Sequence, residues 1–196
     1  MRLFRHHRGE RRERGAASVE MAIVAPLLVL LVFGIFEYGL LFREKLTIAS
    51  AATSSARTGA TMGTRADADY RILQALEAGL YDQVDSGVLI RVDIFEANPN
   101  TGTKTGKQDS YAYDPDGLVC KWSPCPDPVA GSGATGSWLP ADRDVVLLPG
   151  GGGLDVLGVE VVYHHYAIGG LVPGVEGDFS ERALVRLEPS VFGTTP

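Results

Sequence analysis

Residues 14–45 read RGAASVEMAIVAPLLVLLVFGIFEYGLLFREK, an apolar run interrupted by two acids, Glu20 and Glu37. Between those two lie sixteen residues without a charge, and the wider window 16–42 holds twenty-seven residues with only these two acids. A helix rises about 1.5 Å per residue, so the wider window makes a rod of roughly 40 Å, more than the ~30 Å hydrocarbon layer of a bilayer. The composition predicts one transmembrane helix close to the N-terminus.

The flanks orient it. Residues 1–15 carry six arginines against Glu10 and Glu13, whereas from Arg43 onward twelve Lys or Arg face twenty Asp or Glu. The positive-inside rule places the basic end in the cytoplasm and the acidic remainder outside the membrane. An acidic exported part has no electrostatic footprint for nucleic acid, so nucleic acid is not an expected partner. The apolar run exceeds the 7–15 residues or so of a secretory signal, and Arg43, Glu44 and Lys45 precede the small-residue Ala49-Ser50-Ala51. The Arg11-Arg12 pair is followed by Glu13 and Arg14 where a twin-arginine signal needs an apolar start. Permanent anchoring or a different kind of processing is expected instead.

A carboxylate at the membrane costs on the order of 2.5–3.5 kcal/mol when unpartnered, so each acid needs a reason. Glu20 follows Gly15 by five positions. A cut after Gly15 would make Ala16 the new N-terminus, with an α-amine of pKa about 7.7–8.0 that is mostly protonated at neutral pH. That cation, on the same chain or a neighbour, can neutralise Glu20. Snorkelling of Glu20 to the cytoplasmic interface is the plain structural alternative. Glu37 lies about 25 Å further along the axis, where it reads as marking the outer headgroup level beside Tyr38, a residue type favoured there. Pro26 removes one helical hydrogen bond within the span. It reads either as a weak point that helps a subunit leave the bilayer or as a tolerated proline.

The ordered features Arg14-Gly15-Ala16, Glu20, Pro26, Glu37-Tyr38-Gly39 and the alanine run ending at Ala56-Arg57 resemble the TadE-like family, the pseudopilins of tight-adherence (Tad) pilus systems. The resemblance spans residues 14–57. It implies a type IV pilin-like N-terminus, cleavage between Gly15 and Ala16 by a prepilin peptidase, and an assembly role for Glu20. The partners it implies are the membrane, that peptidase, other Tad pilins or pseudopilins and the assembly machinery. Met21 follows Glu20 here, where the major pilin of such systems has tyrosine, which favours an accessory subunit.

The exported part reads as a stem and a head, so the expected division is a leader at 1–15, a span at 16–42, a stem at 43–66 and a head at 67–196. Ala49, Ala52, Ala56 and Ala60 form a small-residue stripe that suits close helix packing, against a second helix of another subunit or against the chain's own head. A second amphipathic helix at 66–82 presents Tyr70, Leu73, Leu76 and Leu80, with Gly79 and the following Asp85-Ser86-Gly87 marking its end. Alternation predicts three strands. The first places Val88, Ile90, Val92 and Ile94 on one face, the second Leu157, Val159, Val161, Tyr163 and His165, and the third Ala183, Val185 and Leu187. The expected fold class is α+β, a pilin-like helix packed on a small antiparallel sheet. Residues 97–153, rich in Gly, Pro, Asp, Ser and Thr, read as a long irregular loop.

That loop holds Cys120 and Cys125, for which an oxidising compartment favours a disulfide over a metal site that would lack its other ligands. Trp122 and Trp138 read as buried; exposed, they would form an adhesive surface. His164 and His165 are adjacent in a strand, point to opposite faces and cannot share a metal. The Gly150 to Gly153 run lacks the Lys-Ser/Thr of a phosphate loop. No catalytic constellation, metal or cofactor is therefore expected. The alternative function is a permanently anchored surface-binding protein without a filament role.

Overall fold

The computed structural model describes residues 8–81, 88–126, 136–147, 153–170, 172 and 174–189, with only the backbone at 8–14. Outside the described residues lie the first half of the basic leader, the Asp85-Ser86-Gly87 stop expected after the second helix, and Gly150 to Gly152.

Helix α1 (Arg8–Met62) is continuous through the apolar span and the stem, with Pro26 inside it. It already includes Gly15 and Ala16, so the expected leader and span are one helix over the described residues. Met62 ends it because Gly63 adopts φ 55° and returns its N–H to the Gly59 carbonyl at 3.2 Å, a left-handed stop that glycine takes without steric cost. After a tight turn, α2 (Ala68–Leu80) runs back along the stem. Its buried face is Asp69, Ile72, Leu73, Leu76 and Leu80. Tyr70, expected on that face, is half-buried, and Ile72 takes the central position instead.

Five strands make one antiparallel sheet in the order β3-β2-β1-β4-β5. They are β1 (Leu89–Ala97), β2 (Lys104–Tyr113), β3 (Trp122–Ser123), β4 (Val156–His165) and β5 (Gly177–Arg186). The α+β class and the β4-β5 hairpin are as expected. Residues 97–153 are not: β2 and β3 lie within them, and β2 pairs with β1 from Arg91↔Ala112 to Ala97↔Lys104. The Asn98 side chain accepts the N–H groups of Asn100 and Thr101, and Gly102 at φ 70° completes that turn. Strand β2 hides from hydrophobic patterning because its first half is polar and exposed, and only Asp109 and Tyr111 are buried.

Both helices lie on one face of the sheet, over Val92, Ile94, Leu157, Val159, Val161, Tyr163, Ala183 and Leu187. Ile90 is exposed, contrary to the alternation, because the β1–β4 register shifts between Leu89 and Arg91 and turns it off the core face. The outer face is closed by Phe95, which lies over Gly158 and between Lys104 and Arg182 at 4.9 and 5.2 Å. Burial pushes the neighbouring Glu160 carboxyl up, but hydrogen bonds and charge from Lys104 and Arg182 outweigh it and hold it below its ordinary value.

The alanine stripe packs against the chain's own head: Ala52, Ala56 and Ala60 are buried and Ala49 half-buried. Gly59 and Gly79 set the helix–helix approach, since a Cβ on Gly79 would stand 2.9 Å from that of Ala51. The head-facing stripe of α1 continues down through Ile48, Glu44, Leu41 and Glu37 to Gly34, within the apolar span.

Candidate functional site

The apolar segment of α1 is the functional candidate, and its residues divide into two groups. From Val19 to Phe36 the large side chains are exposed, Ile23 and Phe36 by more than two thirds. None of the apolar window is buried in the protein, which separates it from the core helix of a water-soluble fold. The helix is long and apolar enough to cross a membrane. Gly15, Ala16 and Glu20 lie on its exposed N-terminal part, and no neighbour would meet a Cβ at Gly15. Among the described residues Glu20 has no ion-pair partner, so nothing within the head competes for its carboxylate.

Glu37 differs. Only 2% of it is exposed, and its two oxygens accept the backbone N–H groups of Ile168 at 3.1 Å and Gly169 at 2.5 Å. The donors belong to residues 166–176, which join β4 to β5. Higher on the same helix face, Glu44 pairs with His165 Nδ1 at 2.5 Å and Lys45 with Glu181 at 3.3 Å. Three polar tethers thus fix the β4-β5 hairpin to α1, from Glu37 in the last turns of the apolar span to Glu44 and Lys45 just beyond it. The shielded bonds at Glu37 contribute about 1.5–3 kcal/mol each, whereas the half-exposed Lys45–Glu181 pair is worth about 0–1 kcal/mol. Tyr38, on the next position, is half exposed.

The structure bonds Cys120 to Cys125, closing a small loop. Trp122 and Trp138 are both buried. The indole of Trp122 donates to Glu77 at 2.6 Å and packs edge-on against Tyr113, so the disulfide loop is fastened to α2.

A buried polar cluster escaped the sequence reading. Arg143 donates to Asp69 and stacks over Trp138 at 4.8 Å, while the Tyr111 hydroxyl donates to the other Asp69 oxygen at 2.7 Å. Asp109 accepts the Trp138 N–H at 3.2 Å, and burial, then the charge of Asp69, pushes its carboxyl up to about 6. These groups come from α2, β2 and residues 136–143. A lone arginine in a Gly- and Pro-rich stretch gives no local signal of burial; only the tertiary fold supplies its partner. The cluster pins these segments together.

His164 pairs with Asp178 at 2.6 Å and His165 with Glu44, on opposite faces of β4. Among the described residues no three His, Cys, Asp or Glu side chains converge as a metal site.

Residues 15–57 match the family model of the TadE-like proteins. No curated protein and no solved structure matches the chain. The matched residues are the exposed apolar span and the stem, so the similarity to TadE-like proteins rests on that N-terminal segment of the chain.

Proposed function

We propose that the protein is a minor pseudopilin that helps to initiate or support assembly of a Tad-type pilus, with a cytoplasmic N-terminus and an extracytoplasmic head. The observation that carries the proposal is the family match falling on a helix whose large apolar side chains from Val19 to Phe36 are left exposed by its own head. A span that the head leaves bare can exchange lipid for the helices of neighbouring subunits. In that exchange Glu20 meets the α-amine of Ala16 on a neighbour, and burial in a low-dielectric setting strengthens the pair. The small-residue stripe of the stem is already occupied, so subunit contacts fall on the span and on the outer face of the stem. The chain is a substrate of a prepilin peptidase under this proposal and performs no catalysis itself.

N-terminal analysis of the protein from its host tests the processing: the mature chain should begin at Ala16. An intact Met1 start in a host with an active peptidase would overturn it. Glu20→Gln should reduce incorporation into pilus complexes while membrane insertion is kept; undiminished incorporation would remove Glu20 from the assembly role.

A further inference from the structure

We infer that the β4–β5 connection is a second membrane contact, resting Tyr166 and Ile168 in the outer headgroup region beside α1. The inference deepens the membrane-anchored reading above and rests on it.

The level comes first. Counting from Ala16, Gly34 and Glu37 stand about 27 and 32 Å along the helix at 1.5 Å per residue, which brackets the outer boundary of a ~30 Å hydrocarbon layer. The connection reaches that level, because Val172 Cγ2 is 3.8 Å from where a Cβ on Gly34 would stand, and Glu37 holds the Ile168 and Gly169 amides. The head therefore overlaps the last turns of the apolar span.

Chemistry comes second. No charged residue occurs from Tyr166 to Val175. Ile168 is 77% exposed and Tyr166 60%, while Val175 is fully buried and anchors the connection from the head side. An exposed isoleucine at a glycine-rich tip is unfavourable in water and favourable at a bilayer surface. Tyrosine suits the same interface with its ring apolar and its hydroxyl wet, and Tyr38 on α1 lies at that level too.

Third, the contact explains Glu37. A carboxylate at the hydrocarbon boundary is costly when bare, and two peptide N–H donors remove it from lipid while satisfying the amides of a tip that would otherwise lack acceptors there. One interaction settles both costs. The geometry points to a lipid surface as occupant, since the apolar tip is continuous with the lipid-facing span.

The full chain carrying Ile168→Cys, labelled with an environment-sensitive fluorophore while Cys120 and Cys125 stay bonded, would be reconstituted alone in phosphatidylcholine–phosphatidylglycerol vesicles. Brominated lipids then report depth. The same label at Leu31 reports the span and at Leu118, fully exposed on the head, reports water. Ile168 should show blue-shifted emission and loss of intensity with shallow-brominated lipid, Leu31 loss with deep-brominated lipid, and Leu118 neither. Quenching at Leu31 without quenching at Ile168 would overturn the second contact and leave the anchor standing, freeing the tip for a protein partner. Absence of quenching at Leu31 would overturn the anchor and the contact together.

Discussion

A Cβ placed on Gly59 of α1 would stand 2.7 Å from Cδ1 of Ile72 on α2, so the stem and the second helix cross where one side chain is missing and the other fills the gap. Both residues are buried. Gly59→Val should therefore destabilise the head by about 1–3 kcal/mol, the usual cost of overpacking. Combined with Ile72→Ala, which opens the space, the loss should be less than the sum of the two single changes, as coupled neighbours show. Chemical denaturation in detergent, followed by the fluorescence of the buried Trp122 and Trp138, reads both; strict additivity would place the two residues out of contact.

Glu37→Ala should free the β4–β5 connection. Losing a charged acceptor removes about 1.5–3 kcal/mol of protection per bond, which is roughly one to two decades in exchange rate at 1.4 kcal/mol per decade. Amide hydrogen exchange at Ile168 and Gly169 measures this, with Val161 in the middle of β4 as an internal reference. Glu37→Gln, which keeps acceptor oxygen but loses the charge, should fall between. Equal exchange in all three proteins would mean that Glu37 does not hold the connection.

Stability should depend on pH through Asp109. Its carboxyl is pushed by burial and by Asp69 from an ordinary 3.8 to about 6, so the folded state binds the proton more tightly than the unfolded chain. The stabilisation is complete below pH 3.8 and lost as pH rises through about 6, with a slope of at most about 1.4 kcal/mol per unit from this group. Asp67 acts in the opposite sense and lower. The Arg65 hydrogen bond, partly offset by burial and reinforced by Arg71, holds its carboxyl down to about 2, so its contribution is lost as pH falls from 3.8 through that value. Asp109→Asn keeps an acceptor for the Trp138 N–H and should flatten the profile between pH 4 and 6 relative to the parent. An unchanged profile would rule out Asp109 as its source.

The protein should show no free thiol before reduction and two after it. Closing so short a loop stabilises by about 2 kcal/mol on chain-entropy grounds. Paired Cys120→Ser and Cys125→Ser should lower the midpoint of unfolding by that order and loosen the packing of Trp122 on Glu77, visible in its near-ultraviolet dichroism. Two thiols reactive in the untreated native protein would contradict the bond.

The long apolar helix, the stem and the core faces of β4 and β5 were legible in the sequence because each is an uninterrupted period of apolar or small residues. The same local logic singles out Glu20 and the Gly15-Ala16 junction by their spacing, and the structure places all three on one exposed stretch of α1. It missed β2, whose pairing with β1 is carried by backbone hydrogen bonds and whose buried residues are an aspartate and a tyrosine. It placed Ile90 in the core because a register shift leaves no mark on alternation. Arg143 and Asp69 are 74 positions apart, and neither looks buried until the other arrives to neutralise it. Glu37 draws the same distinction: sequence alone marks an acid at the edge of a membrane span, and only the tertiary structure brings two peptide N–H groups from 131 and 132 residues away to meet it. Periodicity determines which residues seek shelter from water, whereas the donors that satisfy a buried charge are chosen by chain topology.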